Sequence, residues 1–181
     1  MIMDKIDLQI LDLLQRNARL TNAEIAAEVK LTAPSVFERV RKLEQRGVIR
    51  GYTIQVDPEA LGKPLTAFIR LTVTYDERKA AGVQALRDDP DILECYSVAG
   101  EDCYILKTRV DGPAALEALI NRIRARLTVQ RSVTMIALSA VKEGGPLRAS
   151  PVAPDTAPAR DIVSGNGQKK AGRAAARRAK D

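Results

Sequence analysis

The fold class is α+β, predicted by a change of apolar period at residue 65, where helical spacing gives way to strict alternation. Upstream, the segment from Thr21 to Tyr52 holds two short capped helices joined by a tight turn. Downstream, the elements follow in the order β-α-β-β-α-β. Together these point to an N-terminal winged helix-turn-helix domain over residues 1–62 and a C-terminal ferredoxin-like βαββαβ domain over 63–143. After Glu143 the chain is rich in Pro, Gly and Ala and holds almost no large apolar residue. Such a stretch cannot offset its ordering entropy, so 144–181 is expected to be a disordered basic tail.

Ile6, Ile10, Leu13 and Leu14 put a helical stripe on residues 4–16, supplying the third helix that a small core needs. Thr21 and Glu24 form a capping box, and Ile25, Ala26 and Val29 line one side of the helix it opens. Leu31-Thr32 is the break. Thr32 caps the next helix, Pro34 is tolerated in its first turn, and Val36, Val40 and Leu43 recur on one buried face. The opposite face carries Ser35, Glu38, Arg39, Arg41, Lys42 and Gln45. A second helix with such an arginine-bearing face is the geometry that lies in the DNA major groove; the plainer alternative is a helical bundle with solvated charges. The candidate contacts to double-stranded DNA are Thr21 and Asn22 at the start of the first helix of the pair. On the second they are Thr32, Ala33, Ser35, Phe37, Glu38, Arg39, Arg41 and Lys42, with Arg50 beyond it.

GVIRGYTIQVD alternates, with Tyr52, Ile54 and Val56 on one face, and is expected to form a strand or wing. Arg50 and Gly51 on it either approach the DNA backbone or merely connect. Asp57-Pro58 ends the pattern, and Leu61-Gly62-Lys63-Pro64 reads as a linker. LTAFIRLTVTY then alternates with Leu65, Ala67, Ile69, Leu71, Val73 and Tyr75 on one face. Residues 76–88 are expected as a helix opened by Asp76, with Ala80, Val83 and Leu86 inward. ILECYSVAG and DCYILKTRV make a hairpin around Gly100-Glu101. GPAALEALINRIRARL comes next as a helix with Leu116, Leu119, Ile120, Ile123 and Leu127 on one face, and SVTMIALSAVK as the last strand. Two helices cover only one face of a four-stranded sheet. The last strand, though, is apolar at both parities: Val133, Met135, Ala137 and Val141, and also Ile136, Leu138 and Ala140. The second face therefore calls for a partner, most simply a second copy of the chain.

The formal charge of +6 is unevenly spread: nine Lys/Arg against nine Asp/Glu in residues 1–62, twelve against ten in 63–142, and eight against four in 143–181. The first domain is thus neutral in sum but polarised, with Asp4, Asp7 and Asp12 on its first helix and Arg39, Arg41, Lys42, Arg46 and Arg50 on or after its last. The closing KKAGRAAARRAK is a basic cluster, either a nonspecific phosphate contact or simply a solvated end. With no histidine there is no Ser-His-Asp or Cys-His catalysis and no histidine-ligated metal. Cys95 and Cys103 alone cannot build a zinc site, so no metal and no cofactor are expected. Across a hairpin turning at Gly100, about 3.3 Å per residue separates the two cysteines by roughly 10–13 Å, beyond disulfide reach. No apolar run approaches the roughly 18 residues that span a bilayer, and no signal peptide is recognisable, so a cytoplasmic protein without membrane contact is expected.

The opening IDLQILDLLQRNARLTNAEIAAEVKLTAPSVFERVRKLEQRGVIRGYTIQVDPEALG resembles the DNA-binding domain of the Lrp/AsnC, or feast/famine, regulators, most specifically over RVRKLEQRGVIRGY. VAGEDCYILKTRV and SVTMIALSAVKE resemble that family's effector-binding domain, so the resemblance spans roughly residues 3–143. It implies a transcriptional regulator that forms a homodimer and builds octamers or larger discs, with a small-molecule effector, commonly an amino acid, between ferredoxin-like domains. The family's Gly-x-x-Asp-Tyr turn maps onto Gly100, Glu101, Asp102, Cys103 and Tyr104, with cysteine where the family often has aspartate. Thr134 matches a frequent threonine of the last strand. An amino acid's ammonium would suit Glu101 or Asp102, and its carboxylate the N–H groups freed at Gly100; the alternative is a plain polar hairpin tip. An architectural, nucleoid-associated DNA binder is the rival reading. Siroheme decarboxylases also resemble the family but rely on histidines that are missing here.

Overall fold

A computed structural model describes residues 3–148. The tail expected beyond Arg148 lies outside the described residues. Three helices come first: α1 (Lys5–Arg16), α2 (Asn22–Val29) and α3 (Ala33–Gln45). The second half runs β1 (Leu65–Val73), α4 (Lys79–Asp88), β2 (Ile92–Ser97), β3 (Tyr104–Val110), α5 (Pro113–Arg126) and β4 (Val129–Ile136).

Each of the first three helices opens on a side-chain cap. Asp4 with Asp7 and Thr21 with Glu24 form reciprocal capping boxes, and the Thr32 hydroxyl accepts from the Ser35 N–H. α2 ends at Lys30, which adopts the left-handed conformation (φ 56°) so that its own N–H and that of Leu31 both reach the Ala26 carbonyl. That reversal is the tight turn. Ile10, Ile25, Ala26, Val29, Val36 and Leu43 close the core between the three helices.

The sheet has order β2-β3-β1-β4, all antiparallel, which is the ferredoxin-like arrangement. β1 alternates as expected: Ala67, Ile69, Leu71 and Val73 are buried against Leu86 of α4 and Leu116, Leu119 and Ile123 of α5. Phe68, Arg70 and Thr72 point to the other face, which no helix among the described residues covers.

Four local expectations are corrected. Residues 51–57 form no strand, because no other strand lies among the described residues of this half of the chain to complete a ladder; Tyr52, Ile54 and Val56 are exposed. The last strand begins at Val129 and ends at Ile136 rather than covering 132–142. Its one neighbour, β1, begins at Leu65, and the last bond runs from the Ala137 N–H to the Thr66 carbonyl, leaving Leu138 and Val141 outside the sheet and almost fully exposed. Tyr75 lies past the end of β1 and is exposed, with the Lys79 ammonium 3.5 Å from its ring centre. Finally, α4 starts at Lys79, not Asp76. The Asp76 carboxylate accepts from the Arg78 N–H and its carbonyl from the Lys79 N–H, which makes a turn instead of a cap.

Ala80 is exposed, and the inward positions of α4 are Gly82 and Leu86, with Val83 half-buried. A Cβ at residue 82 would stand 2.3 Å from Leu127 Cδ2 and 2.8 Å from the Arg126 carbonyl oxygen, so glycine is what lets α4 approach the end of α5. Gly82→Ala should therefore destabilise by about 1–3 kcal/mol despite alanine's better helix propensity. Chemical denaturation measures it, and a variant as stable as wild type would show that the contact relaxes freely.

Candidate nucleic-acid interface and effector turn

The turn at Lys30 sets α3 across α2 and leaves one side of α3 open to solvent: Ser35, Phe37, Glu38, Arg41 and Lys42 are all exposed. Glu38 and Arg41 pair at 2.8 Å, an exposed bridge one turn apart that contributes little to stability and is easily exchanged for another anion. Thr32 is exposed and shares its hydroxyl with Ser35 Oγ at 2.9 Å, while Ala33 and Asn22 are half-buried. Thr21 is occupied by Glu24, to which its N–H and hydroxyl donate at 2.7 and 2.8 Å. Arg50 is exposed on the segment after α3. Tyr52 folds back along that segment and donates to Glu44 at 2.8 Å, a contact that no spacing rule could have shown.

Arg39 does not join this surface. Its Nη1 donates at 2.7 Å to both Asp4 and Asp7, and the side chain is only 31% exposed between α3 and the start of α1. The outward reading of Arg39 is corrected, because the acids at the head of α1 draw it in. The Asp7 backbone N–H, followed by the Arg39 guanidinium, holds the Asp4 carboxyl below the ordinary aspartate range, and the two acids raise Arg39 in turn.

In the C-terminal half, Gly100 has φ 138°, a region that side chains rarely adopt, and it turns the β2–β3 hairpin. The six residues expected to gather around an effector do not converge within one chain. Asp102 is buried, and its carboxylate is taken by Arg70 Nη2 at 2.5 Å and Nε at 2.6 Å, with Arg131 at 3.4 Å. It is therefore not free to receive an ammonium. Tyr104 is buried opposite Leu71, inside the core, and burial pushes its phenol up. Thr134 sits opposite Ile69 on the helix-covered side of the sheet, away from Arg70. The Cys103 N–H donates to the Leu71 carbonyl at 2.7 Å, which splices the turn onto β1. Of the six, only Gly100 and Glu101 are exposed, and the Glu101 side chain is 83% exposed, with Arg131 at 3.5 Å. Clefts of about 690, 590 and 470 Å³ lie elsewhere, and none of these six residues lines them.

Comparison with known proteins fits this geometry. Residues 3–50 match the family description "Winged helix-turn-helix DNA-binding", and residues 66–147 match "Lrp/AsnC ligand binding domain". The chain is 40% identical over 124 residues to the HTH-type transcriptional regulator LrpC of Bacillus subtilis, covering 67% of this chain and 84% of that protein. It is 34% identical over 151 residues to the leucine-responsive regulatory protein of Escherichia coli K12, covering 80% and 90%. Among solved structures, the L-methionine complex of a transcriptional regulator from Neisseria meningitidis superposes with TM-score 0.76 at 28% identity, covering 81% of this chain and 96% of that one. Bacillus subtilis LrpC gives 0.69 at 36% identity, with 78% and 99% covered.

Replacing Arg39 by Met should cost on the order of 1–2 kcal/mol at pH 7. The Asp4 carboxyl is depressed in the folded state. Its contribution is therefore full above the unfolded value of about 4 and is lost as pH falls through the lower folded value. The gap between wild type and Arg39→Met should shrink accordingly in urea unfolding at pH 3. A gap that is equal at both pH values would show that the clamp is not electrostatic.

Proposed function

The chain belongs to the Lrp/AsnC family of DNA-binding transcriptional regulators, and on that premise we propose that it is a cytoplasmic, nucleoid-associated homodimer that reads a pseudo-palindromic operator and responds to an amino acid. Its work is binding, with no catalytic step. In this reading α3 enters the major groove with Ser35, Phe37, Glu38, Arg41 and Lys42 toward the bases and phosphates. Thr21, Asn22, Thr32 and Ala33 meet the backbone where α2 and α3 begin, and Arg50 flanks them. Arg39 acts by holding α3 to α1.

The observation that carries the assembly is the uncovered face of the sheet. It presents Phe68, Ile105, Val133, Met135 and Tyr96, with Met135 and Tyr96 about half exposed. A large apolar surface left beside an intact core is an interface in waiting, and a second copy of the same sheet supplies the matching surface. The effector turn supports the same reading. One chain offers Glu101 for an ammonium and the half-exposed Arg131 for a carboxylate, and neither lines the three clefts described above, so a neighbouring subunit would close the site. A ligand held there shifts assembly by its differential affinity for the assembled state. Neisseria and Mycobacterium tuberculosis relatives solved with L-methionine favour an amino acid as the effector class.

Titration calorimetry against the common amino acids, with sedimentation in parallel, tests this reading. Glu101→Ala should weaken binding at least tenfold while leaving the dimer intact, and Asp102→Ala should lower thermal stability because it strands Arg70. Binding that ignores Glu101→Ala would move the effector elsewhere. Separately, Arg41→Ala should weaken operator binding roughly 5- to 100-fold with unchanged melting, the range expected when one arginine–guanine or arginine–phosphate contact is lost. An asymmetric footprint, or a monomer in sedimentation, would overturn the dimeric reading.

A further inference from the structure

Among the described residues of α1, α2 and α3, Phe37 is the one large apolar side chain left exposed, at 52%. The rest of the apolar set of α3 is spent on the core: Val36 and Leu43 are buried, and Val40 packs against that cluster. Phe37 does not extend the stripe. At about 100° per residue it stands roughly 100° round the helix from Val36, whereas Arg39 stands about 60° away on the opposite flank. Arg39 is held there by Asp4 and Asp7 of α1, so Phe37 lies on the flank away from α1. It sits one turn before Arg41 and next to Glu38, and those two pair with each other at 2.8 Å.

A phenyl ring beside a carboxylate is a poor match for a phosphate backbone. The ring offers no hydrogen bond, and the acid repels the charge. Both groups suit the floor of the major groove, where the bases present their edges. Of the four bases only thymine shows an apolar group there, its 5-methyl, while cytosine shows the amino group that a carboxylate accepts from. The N-terminal part of a recognition helix is what reaches those edges, and Phe37 is the fifth residue of α3. When ring and methyl meet, both shed water, so the contact strengthens binding without neutralising a phosphate.

We propose that Phe37 is the thymine-reading residue of α3: its ring packs on the 5-methyl group of one thymine in each half-site and so fixes that position of the operator. This rests on the DNA-binding assignment of α3 and deepens it by naming a base.

The full chain first selects its sites from a randomised pool of DNA duplexes. Affinity is then measured on the selected duplex with each thymine replaced singly by uracil, which removes only the methyl group. At one thymine per half-site, uracil should weaken wild-type binding about fourfold, the effect of one buried methyl, and about sixteenfold when both half-sites are changed. Phe37→Ala should bind the thymine and uracil duplexes equally, and pool selection with it should no longer fix thymine at that position. Phe37→Leu, which keeps an apolar side chain, should keep the preference. Melting temperature and the slope of log affinity against log salt should match wild type in both variants, because the ring supports neither the core nor a phosphate contact. A uracil penalty that persists in Phe37→Ala would give the methyl group another reader and overturn the proposal. So would a wild type indifferent to uracil at every position, or a Phe37→Ala variant that melts lower or binds with a shallower salt slope. A wild-type chain that enriches no sequence from the pool would instead refute the DNA-reading assignment of α3 on which the proposal rests.

Discussion

Alternation along β1 divides everything in the C-terminal half into a covered side and an open one. Ala67, Ile69, Leu71 and Val73 are essentially unexposed and anchor α4 and α5, with the buried Thr108 hydroxyl satisfied by the Ala67 carbonyl. On the other side no helix of the described residues is available, and charge ties the structure together instead. Arg70 seizes Asp102 and so pins the β2–β3 turn to the central strand. Lys107 and Arg109, opposite Phe68 and Thr66, seize Glu143 and bring the chain back across the sheet. The β2–β3 turn and the returning segment both depend on which parity of β1 faces the helices. A slip of one residue would exchange Arg70 for Ile69 and undo both at once.

A different constraint governs the N-terminal half. α2 has only eight residues, too few to be stable alone, and it depends on Ile25, Ala26 and Val29 packing onto Ile10, Val36 and Leu43. Side-chain caps at Asp4, Thr21 and Thr32 fix where each helix begins, so the turn at Lys30 falls in a defined place. The acids of α1 then do something that net charge conceals. By taking Arg39 out of the solvent-facing set, they lock α3 to α1 and leave Arg41 and Lys42 as its outward cations. A domain that is neutral in sum is therefore basic on its working face.

Much of this was legible in the residues. The period change at 65, the Thr21–Glu24 box, the Thr32 cap and the parity of β1 each encode a local rule, and the structure obeys them: α2 and α3 capped as read, then β1 with Ala67, Ile69, Leu71 and Val73 inward, in ferredoxin-like order. Where reading failed, the deciding group was distant. Residues 51–57 alternate like a strand but have no partner; β4 stops where β1 begins; and Ala80 gives way to Gly82 because Leu127 needs the room. Periodicity reports which residues want burial, not whether a ladder or a neighbour is there to receive them.

The candidate sites show the same boundary. The sequence by itself determined the fold class and the stretch of α3 that faces solvent, because these depend on local spacing and caps, while its resemblance to Lrp/AsnC regulators implied the family. Only the tertiary structure decided that Arg39 belongs to Asp4 and Asp7, that Asp102 is spent on Arg70 and Arg131, and that Gln15 holds Leu147 from 132 residues away. Ion pairs and side-chain hydrogen bonds act over a few ångströms of space irrespective of separation along the chain, so a residue's type announces what it can bind and only the fold says what it has already bound.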